Sequence, residues 1–436
     1  MNSWHFIYNC LASGLAMIVL PMVWCHGINH PERKKALAQR LGYDQHAARR
    51  RRRTRPTIWI HAVSVGEVKA AGAIVAALDA VCPDGSILLT TTTTSGQRYA
   101  RRQFSGRASV QYAPIDLWWA VARFIAAQRP DMLVCLETEI WPNWITKAHL
   151  SGIATVFLNG RISPRSIRSY RLIRPLIKPV LERVDAFSMI SEADARRIIG
   201  LGAPAKRVHI NGNVKTDVLE ATENNRFLEH LRQIYAVGNH TPVFVAGSIR
   251  GAEAEMLMRA YEQLAKSIPG LVFIVAPRHI EKSSRIATLA RNLGIDWQYR
   301  TDLERQPGFR QAPVVILNTI GELRNVYGLA SVVFCGGSLV PLGGQNVLEP
   351  AVWGKPVLFG PSMEDFEEAR ALLEKTGGGQ CVPDIAALVE KAGRLLGHPE
   401  EARRLGRLAK RSVLANQGAA SRHAEVVTGL LAKMVG

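Results

Sequence analysis

Charged and polar side chains follow most of the apolar segments that we predict to be β-strands. In open α/β sheets, ligands bind beyond the carboxyl ends of the strands, so polar residues at these ends are the first candidates for chemistry. In the first half of the chain the candidates are His61, Ser64, Glu67, Glu137, Glu139, Asn159, Arg161 and Ser191. In the second half they are Ser248, Arg278, His279, Glu322, Asn346 and Glu349.

Glu67 follows Gly66 at a turn between a predicted strand and a predicted helix. A single carboxylate at such a turn could take a proton from an attacking hydroxyl. A carboxylate in the first turn of a helix also interacts favourably with the helix dipole. When Glu67 is considered alone, this structural role is the better interpretation.

Several cations stand beside predicted strand ends or glycine turns. Arg161 and Arg165 follow a strand in the segment NGRISPRS, and arginine side chains suit the recognition of phosphate and carboxylate groups. Lys215 lies in GNVKTD at the predicted domain junction, where a lysine could stabilise charge on a leaving phosphate. Arg278 follows another strand and is a further candidate for binding an anion.

The glycine-rich segment at residues 333–361 reads strand, glycine turn, helix start and second strand. Glycines allow close backbone approach to a ligand, and a helix N-terminus can bind phosphate. A carboxylate in the same turn would repel a phosphate, so we expect Glu349 to contact the hydroxyls of a ribose. An ordinary glycine-rich connection explains this segment equally well. The sequence contains no His, Asp and Glu cluster with metal-ligand spacing, no dinucleotide fingerprint and no Walker lysine.

The alternation of predicted strands and helices occurs twice along the 436 residues. This pattern predicts two Rossmann-like α/β domains that face a cleft. We place a basic linker at residues 31–56, a first domain at residues 57–220 and a second domain at residues 221–436.

The chain is strongly basic, with a formal net charge of +19 at pH 7. Such a charge indicates a polyanionic partner. Neither aromatic stacking platforms nor a reading helix is recognisable, which argues against nucleic acid and favours an anionic membrane or a phosphorylated substrate. The six cysteines form no C-x-x-C pair, which is typical of a reducing compartment.

The first 30 residues carry no charged side chain and are mostly apolar between Phe6 and Trp24. This length is sufficient to span a bilayer, and the basic residues that follow, including residues 49–53, predict a body on the cytoplasmic side of the inner membrane. The arginines should bind anionic headgroups. A helix lying in the interface or against the body is the alternative.

Six motifs together resemble the 3-deoxy-D-manno-octulosonic acid (Kdo) transferase family. They are HAVSVGEV (61–68), LETEIWPN (136–143), NGRIS (159–163), GNVKTD (212–217), APRH (276–279) and GGSLVPLGGQNVLEP (336–350). The resemblance implies a GT-B fold with an N-terminal membrane helix. It also implies inverting, metal-independent glycosyl transfer from CMP-Kdo to lipid IVA, without a cofactor.

The same resemblance implies roles for individual residues. Glu67 would be the general base, and Glu137 and Lys215 would stabilise charge. The nucleotide contacts would be Pro277, Arg278, Ile320, Gly321, Glu322, Asn346, Val347, Leu348 and Glu349. Arg161 and Arg165 would bind lipid phosphates or the Kdo carboxylate.

The chain departs from the family pattern at three places, one of which is the unusually basic run at residues 49–53. Gln345 and Val347 stand where histidine and proline are frequent, and the turn at residues 248–251 lacks the usual threonine and histidine. Two other functions are considered: a GT-B transferase that uses a UDP-sugar, such as one similar to lipid A disaccharide synthase, and a non-catalytic membrane-tethered binding protein.

Overall fold

The computed structural model describes residues 3–27, 31–43, 56–83, 85–137, 139–217, 225–305 and 310–435. The arginines at residues 49–53, which we expect to bind anionic headgroups, lie outside these residues. The chain divides into two compact units. The first consists of Met1–Val218 and Gln417–Gly436, and the second of Leu219–Asn416.

The described part of the first unit contains a parallel sheet of seven strands in the order β3-β2-β1-β4-β5-β6-β7. The strands are β1 (Thr57–His61), β2 (Ser86–Thr91), β3 (Ala108–Tyr112), β4 (Met132–Leu136), β5 (Ala154–Gly160), β6 (Ala186–Met189) and β7 (Val208–Ile210). The helices before and between them are α1 (Ser3–Gly27), α2 (Pro31–Arg40), α3 (Val65–Val81), α4 (Thr94–Gln103), α5 (Trp118–Gln128), α6 (Pro142–Leu150), α7 (Pro164–Leu172), α8 (Arg174–Leu181) and α9 (Glu192–Leu201).

The central strands are apolar along their length because helices cover both faces of the sheet. Trp59 and Leu133 belong to the core on one face, whereas Ile58 and Val134 belong to the core on the other. This alternation follows from the two-residue period of a strand.

The second unit repeats the arrangement, with seven parallel strands in its described part in the order β10-β11-β9-β8-β12-β13-β14. They are β8 (Val243–Ile249), β9 (Val272–Pro277), β10 (Trp297–Tyr299), β11 (Val314–Ile316), β12 (Val332–Cys335), β13 (Val357–Phe359) and β14 (Gly379–Cys381). The helices are α10 (Asn225–Tyr235), α11 (Glu253–Ser267), α12 (Ser283–Asn292), α13 (Arg300–Arg305), α14 (Leu323–Val326), α15 (Leu348–Val352), α16 (Glu367–Thr376), α17 (Ile385–Gly397) and α18 (Pro399–Ala415). The prediction of two Rossmann-like α/β units is therefore confirmed.

The C-terminal helix α19 (Ala419–Val435) packs on α3 in the first unit, although the sequence analysis assigned residues 221–436 to the second. Ala424 and Val427 are buried in the first unit's core. His423 is also buried, and its Nδ1 lies 2.6 Å from the Ser188 hydroxyl at the end of β6. The last helix thus completes one face of the first sheet.

The residues that we predicted to be a linker begin with a folded helix. In α2 and just after it, Leu37 and Leu41 are buried. The Arg40 guanidinium donates to the carbonyl of Thr92 at 2.5 Å, and the Arg40 carbonyl accepts from the Ile115 N–H at 2.8 Å. Residues 31–43 are therefore part of the first unit, because their apolar side chains are buried in it and their backbone forms hydrogen bonds with it.

Candidate active site

Glu67 lies in the first turn of α3, immediately after the chain leaves β1. Its Oε2 accepts a hydrogen bond from the Val63 N–H at 2.8 Å, and its Oε1 accepts one from the Ser64 hydroxyl at 3.2 Å. These contacts hold the carboxylate over the start of the helix. The structural role expected of a carboxylate in a first turn is therefore fulfilled, and it also fixes the position of a possible base.

Burial raises the pKa of the Glu67 carboxyl to about 7. The hydrogen bonds from Val63 and Ser64 oppose this shift, and the negative charges of Glu137 and Glu139 add to it. A carboxyl group with a pKa near 7 is ionised to a useful fraction at neutral pH and is a stronger base than an ordinary glutamate. The site thus has the acid–base property that proton abstraction requires.

Glu137 and Lys215 form an ion pair, with 2.9 Å between Lys215 Nζ and Glu137 Oε1. Glu137 follows β4 with a φ of 55°, a conformation that non-glycine residues rarely adopt and that is often found at functional sites. The next residue along the chain, at position 138, lies outside the described part. The structure therefore places in direct contact two residues, 78 positions apart, for which the resemblance implied a shared role.

Asn159 and Asn213 hold the segment that carries Lys215. The Asn159 side chain, at the end of β5, accepts from the Val214 N–H at 2.9 Å. The Asn213 side chain accepts from the Lys215 N–H at 3.0 Å and caps the short 3-10 helix Val214–Thr216. Asn159 is one of the strand-end candidates predicted from the sequence, whereas its positioning role depends on a contact with a residue 55 positions further along the chain.

Glu139 and His61 form a second polar group near the carboxyl ends of β4 and β1. Burial raises the pKa of Glu139, and the Trp141 indole N–H donates to its Oε2 at 2.8 Å. His61 is fully buried, and burial lowers its pKa to about 3, so its imidazole is neutral at pH 7. His61 Nε2 lies 4.0 Å from Glu139 Oε2. Glu139 therefore contributes negative charge near Glu67 that the neutral histidine does not compensate.

Arg161 directly follows β5, in a segment that Asp194 and Arg197 of α9 hold in place. The Asp194 carboxylate accepts from the Ile162 N–H at 2.7 Å, and Arg197 donates to the Ile162 carbonyl at 3.0 Å. Arg165 lies in the first turn of α7, and its side chain is outside the described part of the structure. Only the Arg161 position is therefore fixed by described contacts.

In the second unit, the glycine turn after β12 binds an internal carboxylate. Glu253, at the start of α11, is fully buried. Its carboxylate accepts from the N–H groups of Gly337 at 2.6 Å, Ser338 at 2.9 Å and Leu339 at 3.0 Å. A fourth N–H, from Arg250, donates to it at 2.8 Å. From the sequence we expected N–H groups of this segment to be available to a phosphate, but these four donate to the Glu253 carboxylate instead.

The residues implied as nucleotide contacts follow β9, β11 and β12 at the carboxyl edge of the second sheet. Arg278 is exposed, and its backbone N–H donates to the Ile249 carbonyl at 3.0 Å. Ile320 is 85% exposed. Glu322 is paired with Arg300 at 3.0 Å and accepts from the Thr319 hydroxyl at 2.7 Å.

The remaining implied contacts lie at the start of α15. The Asn346 side chain accepts from the N–H of Leu348, the first residue of this five-residue helix, at 3.1 Å. Its amide group lies 3.4 Å from Glu349 Oε1, whereas Val347 and Leu348 are buried. Asn346 and Glu349 therefore have the more accessible polar groups of this segment. Among the described residues of both units, no group of three or more His, Cys, Asp or Glu side chains is placed to hold a metal ion.

Comparisons with known proteins agree with this geometry. Residues 35–218 match the family described as 3-Deoxy-D-manno-octulosonic-acid transferase (kdotransferase). The 3-deoxy-D-manno-octulosonic acid transferase of Haemophilus influenzae is 30% identical over 439 residues, covering 99% of this chain and 100% of that protein. The enzyme of the same name from Bordetella pertussis is 29% identical over 374 residues, covering 84% of this chain and 85% of that protein.

Solved structures show the same fold at low sequence identity. A glycosyltransferase from Rickettsia africae has a TM-score of 0.59 and 14% identity, covering 87% of this chain and 99% of that one. The UDP-GlcNAc 2-epimerase of Neisseria meningitidis has a TM-score of 0.58 and 12% identity, covering 86% of this chain and 100% of that one. Together with the two parallel seven-stranded sheets in the described residues, these similarities confirm the GT-B fold. The full-length similarity to the Haemophilus enzyme places the chain in the 3-deoxy-D-manno-octulosonic acid (Kdo) transferase family of glycosyltransferases.

Proposed function

We propose that this enzyme transfers Kdo from CMP-Kdo to lipid IVA, the tetraacyl lipid A precursor, in lipopolysaccharide core biosynthesis. The reaction proceeds with inversion and without a metal ion, and Glu67 is the general base. The observation that carries this proposal is the Glu67 carboxyl, with a pKa of about 7, at the motif position where the family resemblance implies the base.

In this mechanism Glu67 takes the proton of an acceptor hydroxyl while the oxygen attacks the anomeric carbon of Kdo. The bond between that carbon and the phosphate oxygen breaks, and CMP leaves with the electron pair. Because attack and departure occur on opposite faces of the sugar, the anomeric configuration inverts. A base with a pKa near 7 suits this step, since about half of it is deprotonated at neutral pH and it is still basic enough to accept the proton.

Lys215 stabilises the negative charge that develops as CMP departs. Its ion pair with Glu137 holds the ammonium group in one position before the reaction, which lowers the cost of reorganisation. The leaving group is a phosphate monoester and carries less charge than a nucleoside diphosphate. Protein cations such as Lys215 and Arg278 can therefore neutralise it, which is why the proposal includes no metal ion.

The nucleotide of the donor binds at the carboxyl edge of the second sheet. The proposed contacts are Pro277, Arg278, Ile320, Gly321, Glu322, Asn346, Val347, Leu348 and Glu349. Glu349 binds the ribose hydroxyls, as the sequence analysis proposed. The phosphate is bound elsewhere than at the N–H groups of Gly337, Ser338 and Leu339, because Glu253 engages all three.

The acceptor is proposed to approach from an anionic membrane through the region of α7 and α8. Leu172 is 85% exposed, and the arginines Arg168, Arg171 and Arg174 of these helices are exposed as well. Apolar side chains next to arginines suit a surface that contacts acyl chains and phosphates together. Arg161 and Arg165 would bind lipid phosphates or the Kdo carboxylate.

The N-terminal helix α1 is proposed to lie along the inner-membrane surface, with the body on the cytoplasmic side. Residues 3–22 are long and apolar enough to cross a membrane, with a mean hydropathy of 1.5. However, Tyr8 donates to the Asp116 carboxylate at 2.6 Å, and buried His5 lies 2.8 Å from Asn143. The first turns of α1 are thus bonded to the body, whereas Phe6 and Leu11 are exposed. An N-terminus on the opposite side of the membrane, as the sequence analysis predicted, would break these bonds.

The test is transfer by the purified full-length protein, with mass spectrometry of the lipid product. CMP-Kdo and lipid IVA should give a product heavier by one or more Kdo residues, and UDP-sugars should give none. Glu67→Gln should lose turnover while its circular dichroism spectrum stays that of the wild type. Transfer from a UDP-sugar, or an unchanged rate in Glu67→Gln, would contradict the proposal. A protein that binds CMP but transfers nothing would support the non-catalytic alternative.

A further inference from the structure

A cavity of about 380 Å³ lies in the second unit, at the carboxyl ends of β8 and β9. Its volume falls in the range of about 300 to 1,000 Å³ that is usual for small-molecule sites. Of the nine residues implied as nucleotide contacts, Pro277 alone lines this cavity. The cavity is therefore adjacent to the proposed nucleotide site without being part of it.

The polar lining of this cavity is basic. Arg250, His279, Lys282 and Arg285 line it, and none of the described residues in the lining is an aspartate or a glutamate. The apolar lining includes Ile249, Ile286 and Leu342. A cavity with an apolar wall and several cations fits a ligand that combines a hydrocarbon face with a negative charge.

Arg250 is the cation whose position is most constrained. Its backbone N–H donates to buried Glu253 at 2.8 Å, and its Nη1 donates to the Leu342 carbonyl at 3.2 Å. Its Nε is buried and has no hydrogen-bond partner among the described residues. Because these bonds restrain the Arg250 side chain at the cavity lining, its guanidinium can bind a carboxylate with little further loss of side-chain freedom.

We propose that this cavity holds the sugar-acid part of the donor and that Arg250 binds its carboxylate. This inference rests on the proposed function. In CMP-Kdo a single phosphate joins the sugar to the nucleoside, so the sugar must lie directly beside the nucleotide phosphate. Pro277 lines the cavity and is adjacent in the chain to Arg278, which fits this short connection.

The experiment compares the binding of free Kdo and of its methyl ester to the full-length protein saturated with CMP, by ligand-observed NMR. The ester keeps the sugar and removes the negative charge. The wild type should bind Kdo about 10- to 100-fold more tightly than the ester, as expected for one charge-assisted contact. In Arg250→Met the acid and the ester should bind alike, while the CMP affinity stays within about twofold of the wild type.

Arg291→Met is the matched control, because Arg291 lies on α12 with Arg285 but does not line the cavity. It should leave both affinities unchanged, and Arg285→Met should give a smaller loss than Arg250→Met. Equal binding of acid and ester to the wild type would overturn the inference. An equal loss of CMP and Kdo affinity in Arg250→Met would assign the arginine to the nucleotide phosphate and would also overturn it.

Failure of the proposed function has a different result. A wild-type protein that does not bind CMP at all contradicts CMP-Kdo as the donor before any variant is compared. CMP binding without a difference between acid and ester leaves the proposed donor in place and removes only the role of this cavity.

Discussion

Protonation of Glu67 should reduce the rate of transfer below neutral pH. Burial raises the pKa of this carboxyl to about 7, and the base acts only when it is ionised. Its ionised fraction is then about 90% at pH 8 and about 10% at pH 6. We therefore expect kcat/KM to fall about tenfold between these two pH values. With a glutamate of ordinary pKa, near 4.3, kcat/KM would fall by only about 2% between the same two pH values.

The like charge of Glu139 provides a way to move this profile. The negative charges of Glu137 and Glu139 both raise the pKa of Glu67, although burial is the larger cause. Glu139→Gln removes one of them and keeps an oxygen that can accept from the Trp141 indole. The pKa of Glu67 should fall, so the acidic limb of the profile should shift to lower pH. Glu262→Gln, on the exposed face of α11, is the control and should not shift it.

The assay measures initial rates of CMP release at subsaturating donor between pH 5.5 and 9, at constant ionic strength. Glu67→Gln should be slower by about 10² to 10⁴ across the whole range, because the general base is absent. A wild-type kcat/KM that stays constant from pH 8 to pH 6 would contradict a general base with a pKa near 7. An acidic limb that moves to higher pH in Glu139→Gln would contradict it as well, since loss of a like charge can only favour ionisation of Glu67.

Three further predictions follow from individual contacts. Lys215→Met should lower kcat by about 10²- to 10³-fold but change the free energy of unfolding by at most about 1 kcal/mol, because the pair with Glu137 is partly exposed. Lys266→Met, whose pair with Glu262 is exposed, should change neither quantity, and equal effects of the two substitutions would contradict a catalytic role for Lys215. Glu253→Gln should reduce the free energy of unfolding in urea by about 3 kcal/mol or more, because a buried amide cannot accept the four N–H bonds of the carboxylate. Glu255→Gln, on the exposed face of α11, is the control. A loss below about 1 kcal/mol for Glu253→Gln would contradict this account. Tyr8→Phe should reduce the free energy of unfolding in urea by about 1.5 to 3 kcal/mol, because it removes the hydrogen bond from the Tyr8 hydroxyl to the Asp116 carboxylate. Tyr43→Phe, at an exposed tyrosine, is the control, and an unchanged free energy of unfolding in Tyr8→Phe would favour a membrane-spanning α1.

The sequence allowed prediction of the strands whose apolar runs are long. Segments such as β4 and β9 are buried along most of their length, so their composition alone distinguishes them from loops. The strands Val208–Ile210 and Gly379–Cys381 have only three residues each and are not fully buried, and the sequence analysis did not identify them. A strand this short is defined by its hydrogen bonds to a neighbouring strand, and these bonds cannot be predicted from the pattern of adjacent residues.

In the candidate active site, too, features that depend on adjacent residues could be predicted and features that depend on packing could not. Glu67 could be selected from the sequence, because its position between a strand and a helix depends on adjacent residues. Its pKa could not, since burial and the charges of Glu137 and Glu139 depend on how distant segments pack. The contact between Glu137 and Lys215 was implied only by the resemblance, and its geometry required the folded chain.

The sequence by itself determined two α/β units, the carboxyl ends of the strands as the place for chemistry, and the residue types that stand there. Strand periodicity, glycine turns and helix starts are local properties, and local properties are readable from adjacent residues. Only the tertiary structure showed that Glu253 fills the glycine turn, that α19 packs on the first unit and that α1 is bonded to the body. Each of these results joins groups far apart in the chain. An amphipathic helix or a buried carboxylate shows that a partner exists, whereas packing alone decides which partner it is.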